Sequence, residues 1–260
     1  MPRPPSRLTV HLRVLHALLI REMITRYGRS SLGYVWAVLE PVGIITLLTL
    51  LFLQIADAPP YGRSFALFYA SGYMGFHWVI DISSVAARSV HVNRPLLAFP
   101  SVTALDTVLA RLILQSLTGL AVAALILGGI FALSGGPVML LPGPILTSFV
   151  LAVLLAAGIG IFNAWAFAVS KGWELTWGIV SRPLLLVSCV FYSFESLPAE
   201  AREILWFNPV IHVVGTLRSG IYPIYDGSHL APEYVVLVSL MLLLPGLIGT
   251  RAVRARMAAP

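Results

Sequence analysis

The sequence contains only one lysine and one cysteine, and both scarcities exclude familiar kinds of chemistry. Lys171 is followed by a glycine, so the chain has no G-x-x-x-x-G-K-[ST] loop for binding nucleotide phosphates. Cys189 has no second cysteine with which to form an intrachain disulfide or a C-x-x-C redox pair. We therefore do not expect the chain to hydrolyse ATP itself or to carry out thiol chemistry.

Motifs for other catalytic or metal sites are also absent from the sequence. There is no H-E-x-x-H metalloprotease motif and no G-x-S-x-G nucleophile motif. The six histidines are scattered, and no two of them stand at the spacing of metal ligands. We expect a protein that is not an enzyme and that binds no metal or other cofactor of its own.

Charged residues are scarce as well. They make up 11% of the chain, and hydrophobic residues make up 58%, whereas a soluble domain has about 25% and about 45–50%. A chain this apolar cannot cover its surface with polar groups in water, so it belongs in a lipid bilayer. Crossing about 30 Å of hydrocarbon takes about 20 helical residues, so the length allows about six crossings.

Six apolar segments predict an all-α integral membrane fold with six transmembrane helices. The predicted spans cover residues 34–53, 65–87, 109–133, 145–169, 179–194 and 234–248. We divide the chain into an N-terminal segment (1–30), a transmembrane domain (31–253) and a cytoplasmic tail (254–260). A stripe of small residues on span 4 predicts close packing of another helix. It consists of Ala156, Gly160, Ala164 and Ala168.

The net charge of +6 is explained by where the basic residues fall. Fourteen of the seventeen lie on one side of the predicted topology. Because basic loops stay in the cytoplasm, both termini are predicted to be cytoplasmic. For the same reason the positive charge does not indicate a nucleic-acid partner.

The segment before the first span is predicted to be an amphipathic helix, residues 7–29, that lies in the lipid headgroup layer. Its leucines recur at helical spacing, and arginines lie elsewhere on the helical wheel. A cytosolic helix packed on the membrane domain is the alternative. Glu40 and Pro41 then interrupt the first apolar span, and they predict a kink near the cytoplasmic entrance.

The connection between spans 5 and 6 is too long and too apolar for a simple loop. It covers residues 195–233 and includes the apolar runs 204–207 and 210–214. Structureless loops longer than about 12–15 residues are uncommon, and broken backbone at membrane depth needs protein or water around it. We predict short helices that re-enter the outer face without crossing.

Aromatic and basic residues indicate a possible path for a substrate. Arg111 and Arg182 lie near or within spans, where a charge costs roughly 2.5–3.5 kcal/mol unless it sits at the boundary. An aromatic face on span 2 can stack on sugar rings, and core packing with an aromatic belt is the alternative. This face is formed by Phe65, Tyr69, Tyr73 and Phe76.

The predicted cytoplasmic loop between spans 2 and 3 mixes basic and apolar residues. Arg88 and Arg94 are followed by the apolar run 96–99. An exposed apolar run on a cytosolic loop is typical of a docking surface for another protein. Packing of the run beneath the helices is the alternative.

Three stretches of the sequence resemble the permease subunits of capsular-polysaccharide exporters, which are type-2 ABC exporters of Gram-negative bacteria. The first is residues 21–41, REMITRYGRSSLGYVWAVLEP. The second is residues 106–111, DTVLAR, at the start of the third span, and the third is residues 206–214, WFNPVIHVV, in the outer segment. The similarity runs in order over nearly the whole chain.

The resemblance implies a multi-pass inner-membrane permease that forms a homodimer with two copies of a separate ATPase, which binds ATP and Mg²⁺. It implies export of a lipid-linked, usually acidic polysaccharide, with a periplasmic adaptor and an outer-membrane channel as further partners. Export of O-antigen, teichoic acid or another amphiphile is the alternative within transport. A membrane-embedded glycosyl or acyl transferase is the alternative from another class.

Roles for single residues follow from the resemblance and from their predicted positions. The residues expected to couple to the ATPase are Arg21, Arg26, Arg29, Arg88, Arg94 and Phe99. The residues expected to line the substrate path are Phe65, Tyr69, Tyr73, Phe76, Arg111 and Arg182. The residues expected to form an outer gate are Trp206, Asn208, Pro209, His212 and Arg218.

Overall fold

The computed structural model describes residues 7–27, 32–99, 102–134 and 140–258, and these ranges are helical without a β-strand. The prediction of an all-α fold is confirmed. The helices are α1 (Arg7–Tyr27), α2 (Leu32–Phe52), α3 (Phe65–Ala87), α4 (Ser89–Val92), α5 (Ala104–Ser134), α6 (Pro142–Val169), α7 (Lys171–Val180), α8 (Leu184–Val187), α9 (Ala199–Leu205), α10 (Pro209–Ile221) and α11 (Pro232–Ala258). Two short 3₁₀ helices cover Arg94–Ala98 and Phe194–Ser196.

Four helices in the described ranges are long and apolar enough to cross a membrane. Their apolar parts are Val35–Phe52, Ala104–Leu133, Pro142–Val169 and Pro232–Arg251. α3 coincides with the second predicted span but is less apolar, since it includes polar residues such as His77 and Asp81. Most of its side chains are buried among other helices. A helix surrounded by protein does not need the apolar surface that lipid demands.

The fifth predicted span, residues 179–194, is not a single helix. α7 ends at Val180, the chain turns, and α8 lasts only four residues. Pro183 precedes α8 and has no N–H to continue the hydrogen-bonding pattern of α7. Cys189 then has a φ of 55°, which takes the backbone out of the right-handed helical region. The expectation of one continuous helix is corrected to a broken segment.

α6 lies at the centre of the bundle and packs against α3, α10 and α11. Glycines permit the close approach. A Cβ added at Gly160 would lie 2.6 Å from the Cβ of Ala86 on α3, and one at Gly246 of α11 would lie 2.7 Å from the backbone nitrogen of Phe162. Gly160 of the small-residue stripe on span 4 therefore packs against another helix, as predicted, and Ala156 and Ala164 are buried, whereas Ala168 is exposed.

The two ends of the bundle differ in charge. We call the end where α5 begins and α11 finishes the basic end; its residues include Arg21, Arg88, Arg94, Arg111 and Arg251. The opposite, acidic end includes Asp57, Glu195, Glu200, Glu203, Asp226 and Glu233. α1 lies at the basic end and packs against α5. Leu18 of α1 is buried there, whereas Leu12 and Ile24 stay exposed.

Candidate functional site

A buried carboxylate joins α1 to α5 at the basic end. Glu22 is 4% exposed, and it is the only acidic residue among the first 39. Its Oε2 lies 3.1 Å from Nε of Arg111 on α5. Arg111, which we predicted to line the substrate path, is instead engaged in this ion pair. Because removing one partner of a buried pair leaves an uncompensated charge, the contact fixes α1 on α5.

Asn93 extends this contact to the loop between α4 and the first 3₁₀ helix. Its Nδ2 donates a hydrogen bond to Oε1 of Glu22 over 3.0 Å, and its Oδ1 accepts one from Nη1 of Arg21 over 2.7 Å. Arg21, predicted to couple to the ATPase, thus binds the chain's own loop. Arg29 and the side chain of Arg26 lie outside the described residues. We call the four connected residues the α1 clamp: Arg21, Glu22, Asn93 and Arg111.

α5 begins with a reciprocal cap. Thr103 Oγ1 accepts a hydrogen bond from the N–H of Asp106 over 3.1 Å, and Asp106 Oδ2 accepts one from the N–H of Thr103 over 2.9 Å. The second carboxylate oxygen of Asp106 lies 3.4 Å from Nδ1 of His11 on α1. Asp106 in the DTVLAR stretch therefore starts α5 and adds a second contact to α1.

The loop after α3 presents a mixed basic and apolar surface. Phe99 is 59% exposed and Val92 is 54% exposed, and Arg88 and Arg94 are exposed beside them. Leu97 packs against the core below. The run 96–99 is thus divided between packing and exposure. We call Arg88, Val92, Arg94 and Phe99 the docking surface.

The aromatic face of α3 lies inside the chain. Phe65, Tyr69, Tyr73 and Phe76 are 7%, 1%, 5% and 7% exposed. The rings of Phe65 and Tyr69 stack with centroids 6.3 Å apart, and Phe52 of α2 approaches Tyr69 to 5.0 Å. This burial favours the packing alternative and does not support a sugar-binding stripe.

Two predicted site residues, Arg182 and Glu40, have exposed side chains. Arg182 occupies the turn between α7 and α8. Glu40 lies about 12 Å along α2 from its first residue, at 1.5 Å per residue. Within the described ranges, neither side chain has an ion-pair partner. α2 continues through Pro41 to Phe52 as one helix, so the proline does not end it.

Arg218 on α10 is buried near the acidic end without a carboxylate partner among the described residues. It is 1% exposed. Its Nη1 donates to the carbonyl of Tyr192 over 3.0 Å, and its Nη2 donates to that of Val190 over 2.9 Å. The guanidinium carbon lies 4.1 Å from the centroid of the Phe68 ring. Arg218 thus supplies hydrogen bonds that the broken segment after α8 leaves open.

Asn208 plays the same part at the end of α8. Its Nδ2 donates to the carbonyl of Val187 and to Oγ of Ser188, each over 3.0 Å. Its Oδ1 accepts from the N–H of Val210 over 3.0 Å and so caps α10. Pro209 occupies the first turn of α10, where no N–H is needed. These predicted gate residues hold the broken segment in place.

His212 and Trp206 connect α9 and α10 to the loop before α11. The N–H of Ala231 donates to Nδ1 of His212 over 3.2 Å, which leaves Nε2 as the donor to the carbonyl of Trp206 over 2.9 Å. Trp206 Nε1 donates to the carbonyl of His229 over 2.9 Å. Each of four predicted gate residues, Trp206, Asn208, His212 and Arg218, therefore has a hydrogen-bond partner inside the chain.

Sequence reasoning missed a carboxylate at this end. Glu195 accepts a hydrogen bond from the Tyr61 hydroxyl over 2.7 Å and lies 3.5 Å from Nδ1 of His229, so three loops meet there. Burial and the Glu195 carboxylate raise the pKa of Tyr61 to about 12, which keeps this hydroxyl protonated as a donor. Burial lowers the pKa of His229, and Glu195 opposes that shift. No spacing pattern signals three residues so far apart in sequence.

Comparison with known proteins agrees with this architecture. Residues 13–222 match the family described as ABC-2 type transporter. Because the match covers most of the chain, the chain belongs to this family of membrane transport proteins. The resemblance drawn from the three sequence stretches is confirmed.

Named relatives carry the comparison further. The chain is 28% identical to the polysialic acid transport protein KpsM of Escherichia coli over 239 residues, which is 90% of each chain. It is 29% identical over 244 residues to the capsule polysaccharide export inner-membrane protein CtrC of Neisseria meningitidis serogroup B, covering 92% of this chain and 91% of CtrC. It is 28% identical over 251 residues to the capsule polysaccharide export inner-membrane protein BexB of Haemophilus influenzae, covering 93% and 91%.

Proposed function

We propose that the chain is the membrane subunit of an exporter that moves lipid-linked capsular polysaccharide across the bacterial inner membrane. The observation that carries this proposal is its similarity, over at least nine tenths of each chain, to proteins named for transport of polysialic acid or capsule polysaccharide. The chain has no nucleotide-binding loop. This absence supports a separate ATPase subunit that binds ATP and Mg²⁺.

The proposed topology has six crossings, with the basic end in the cytoplasm. The four apolar helices supply four of them, and α3 and the broken α7–α8 segment supply the second and fifth. The arginines of the basic end support cytoplasmic termini. α9 and α10 then form short re-entrant helices at the outer face. Asn208 and Arg218 support this arrangement, because they satisfy backbone groups that lipid cannot.

Two uncovered surfaces support a homodimer with a path between the protomers. Only 11% of the α2 span is buried within the chain, and α7 contains no buried residue. Glu40 is exposed on α2, and Arg182 is exposed in the turn that follows α7. A charge that faces lipid at membrane depth costs about 2.5–3.5 kcal/mol. A second copy and a water-filled path would cover both surfaces. Arg182 would then face an acidic polymer.

The docking surface fits an ATPase at the cytoplasmic side. Exposed Phe99 and Val92 offer apolar anchors, and Arg88 and Arg94 offer charge for orientation. Transport onward from the inner membrane fits the periplasmic adaptor and outer-membrane channel that the family resemblance implies.

A deletion strain tests the proposed substrate. Loss of the chain should abolish surface capsule and leave lipid-linked polymer inside the cell. A strain that keeps its surface capsule and instead retains O-antigen or another amphiphile would contradict the proposal.

A pull-down of the tagged chain tests the proposed docking surface. The double variant Phe99→Ser with Arg94→Glu should reach the membrane at the normal level but lose the accompanying ATPase. Arg202→Glu is the matched control, because Arg202 is an exposed arginine at the acidic end. Unchanged ATPase recovery with the double variant would show that docking occurs elsewhere.

A further inference from the structure

We propose that Glu22 is the positioning residue that couples α5 to the movement of the docking loop, by which we mean residues 88–99, the segment that carries the docking surface. The α1 clamp is the structural basis, since one carboxylate joins α1, the docking loop and α5. The proposal rests on the function proposed above, because it concerns how work done by an ATPase at the basic end reaches the membrane helices.

Both oxygens of the Glu22 carboxylate are engaged in this arrangement. Oε2 lies 3.1 Å from Arg111 Nε on α5. Oε1 accepts a hydrogen bond from Nδ2 of Asn93, five residues after Arg88 of the docking surface. With Glu22 and Asn93 only 4% and 1% exposed, water cannot readily replace the ion pair or the hydrogen bond. The three elements are therefore expected to move together.

Elsewhere α1 is held less closely. A cleft of about 480 Å³ lies beside its N-terminal half, lined by His11, Leu12 and Leu15 on one side and by Leu109 and Leu247 on the other. The His11–Asp106 contact at its rim is partly open to solvent, with the His11 side chain 51% exposed. Glu22 is thus the buried charged link between α1 and the helix that follows the docking loop.

This geometry changes the expected roles of two arginines. Arg21 binds Asn93 and so stiffens the connection to the loop. Arg111 receives the movement on α5 through Glu22 rather than contacting polymer. An ion pair that only anchored α1 would affect the amount of folded protein, whereas a coupling pair affects how much transport each ATP supports.

The test uses the complete exporter, chain and ATPase, in proteoliposomes, and measures polymer moved per ATP hydrolysed. Glu22→Gln and Arg111→Gln should each copurify with the ATPase and hydrolyse ATP, but lower this ratio about tenfold, a typical coupling effect. The double variant E22R/R111E restores opposite charges but not the hydrogen bond that Asn93 donates to Glu22, so it should recover part of the loss. Arg13→Gln removes an exposed arginine from the same helix and should leave the ratio unchanged.

A further variant tests the proposed coupling if the charge variants fail to fold. Asn93→Ala keeps the Glu22–Arg111 pair but disconnects the docking loop, and it should also lower the ratio. An unchanged ratio in Asn93→Ala, or in well-folded single charge variants, would overturn the proposal. If the wild-type complex itself moved no polysaccharide, the proposed function would fail instead.

Discussion

Two arginines, one mostly buried and one fully buried, are held in opposite ways towards opposite ends of this bundle. Arg111 at the basic end pairs with the carboxylate of Glu22. Arg218, towards the acidic end, donates to two backbone carbonyls and lies against the ring of Phe68, with no carboxylate partner among the described residues. The first arginine joins separate elements through side chains, and the second completes the hydrogen bonding of a broken one.

The difference shows what each end can tolerate. A pair of opposite side-chain charges can be exchanged, because the attraction survives when both partners are swapped. The partners of Arg218 are backbone carbonyls, which no substitution can alter. Loss of Arg218 therefore cannot be compensated by a second substitution at Val190 or Tyr192. We therefore expect the stability of the basic end to depend on the charges of its side chains. We expect the stability of the acidic end to depend on shape and on hydrogen-bond geometry.

Arg218→Lys should have the largest effect. A lysine ammonium is a compact donor group without the planar fork that reaches both Val190 and Tyr192. Each buried carbonyl left without a donor costs about 1–3 kcal/mol. We expect a much lower melting temperature of the purified protein and less of it in the membrane. Arg202→Lys, an exposed exchange at the same end, is the control. A melting temperature equal to wild type would show that one donor suffices.

Gly72→Ala should have an intermediate effect. A Cβ there would lie 2.7 Å from Nη2 of Arg218 and 2.8 Å from the carbonyl oxygen of Val190. Such overpacking costs about 1–3 kcal/mol, and we expect faster proteolysis of the segment after α8. Gly128→Ala on α5 meets no atom within 4 Å and serves as the control. Equal proteolysis of the two variants would contradict the close packing around Arg218.

Acidification should have the smallest effect, through His229. Burial lowers its pKa below the ordinary value of 6.5, although Glu195 and Asp226 act in the opposite direction. The unfolded chain therefore takes up a proton before the folded chain does, so stability is complete above pH 6.5 and falls as the pH drops below it.

Thermal unfolding at pH 7.5 and pH 5.5 measures this effect. We expect the midpoint to fall by about 2 °C, which corresponds to somewhat less than 1 kcal/mol for a chain of this size. His229→Gln should remove part of the pH dependence, whereas His11→Gln at the basic end should keep it. A dependence unaffected by His229→Gln would assign it to another group.

Much of the fold could be predicted, because apolar length is a local property. Four predicted spans coincide with helices apolar enough to cross a membrane. The prediction of the fifth span as one helix was wrong, because hydropathy does not reveal the turn before Pro183 or the left-handed backbone at Cys189. The length of the connection 195–233 indicates that it is more than a simple loop, but the sequence does not reveal its hydrogen bonds to the broken segment.

The candidate site was predictable only in part. Apolar residues beside arginines are visible in the sequence, but only the structure shows that Phe99 is exposed while Leu97 packs against the core. The role of this loop in docking stays a prediction. The role of Glu22 was not predicted, although it is the only acidic residue in a basic segment. Its burial depends on where α1 packs, which the sequence does not show. The aromatic stripe of α3 was placed on the correct helix face, but a helical pattern does not reveal whether that face meets a substrate or a neighbouring helix.

Amino-acid order alone was enough to place the chain in a membrane, to assign it to a transport family and to separate a basic from an acidic end. Each of these depends on composition or on short motifs. The partners of Arg111 and Arg218 depended on the three-dimensional packing. Asn93 and Glu22 are 71 residues apart, and Arg218 and Val190 are 28 apart. Contacts between residues so far apart in sequence form only when helices pack. A charge that is buried by this packing needs a nearby partner, because burying it without one costs free energy.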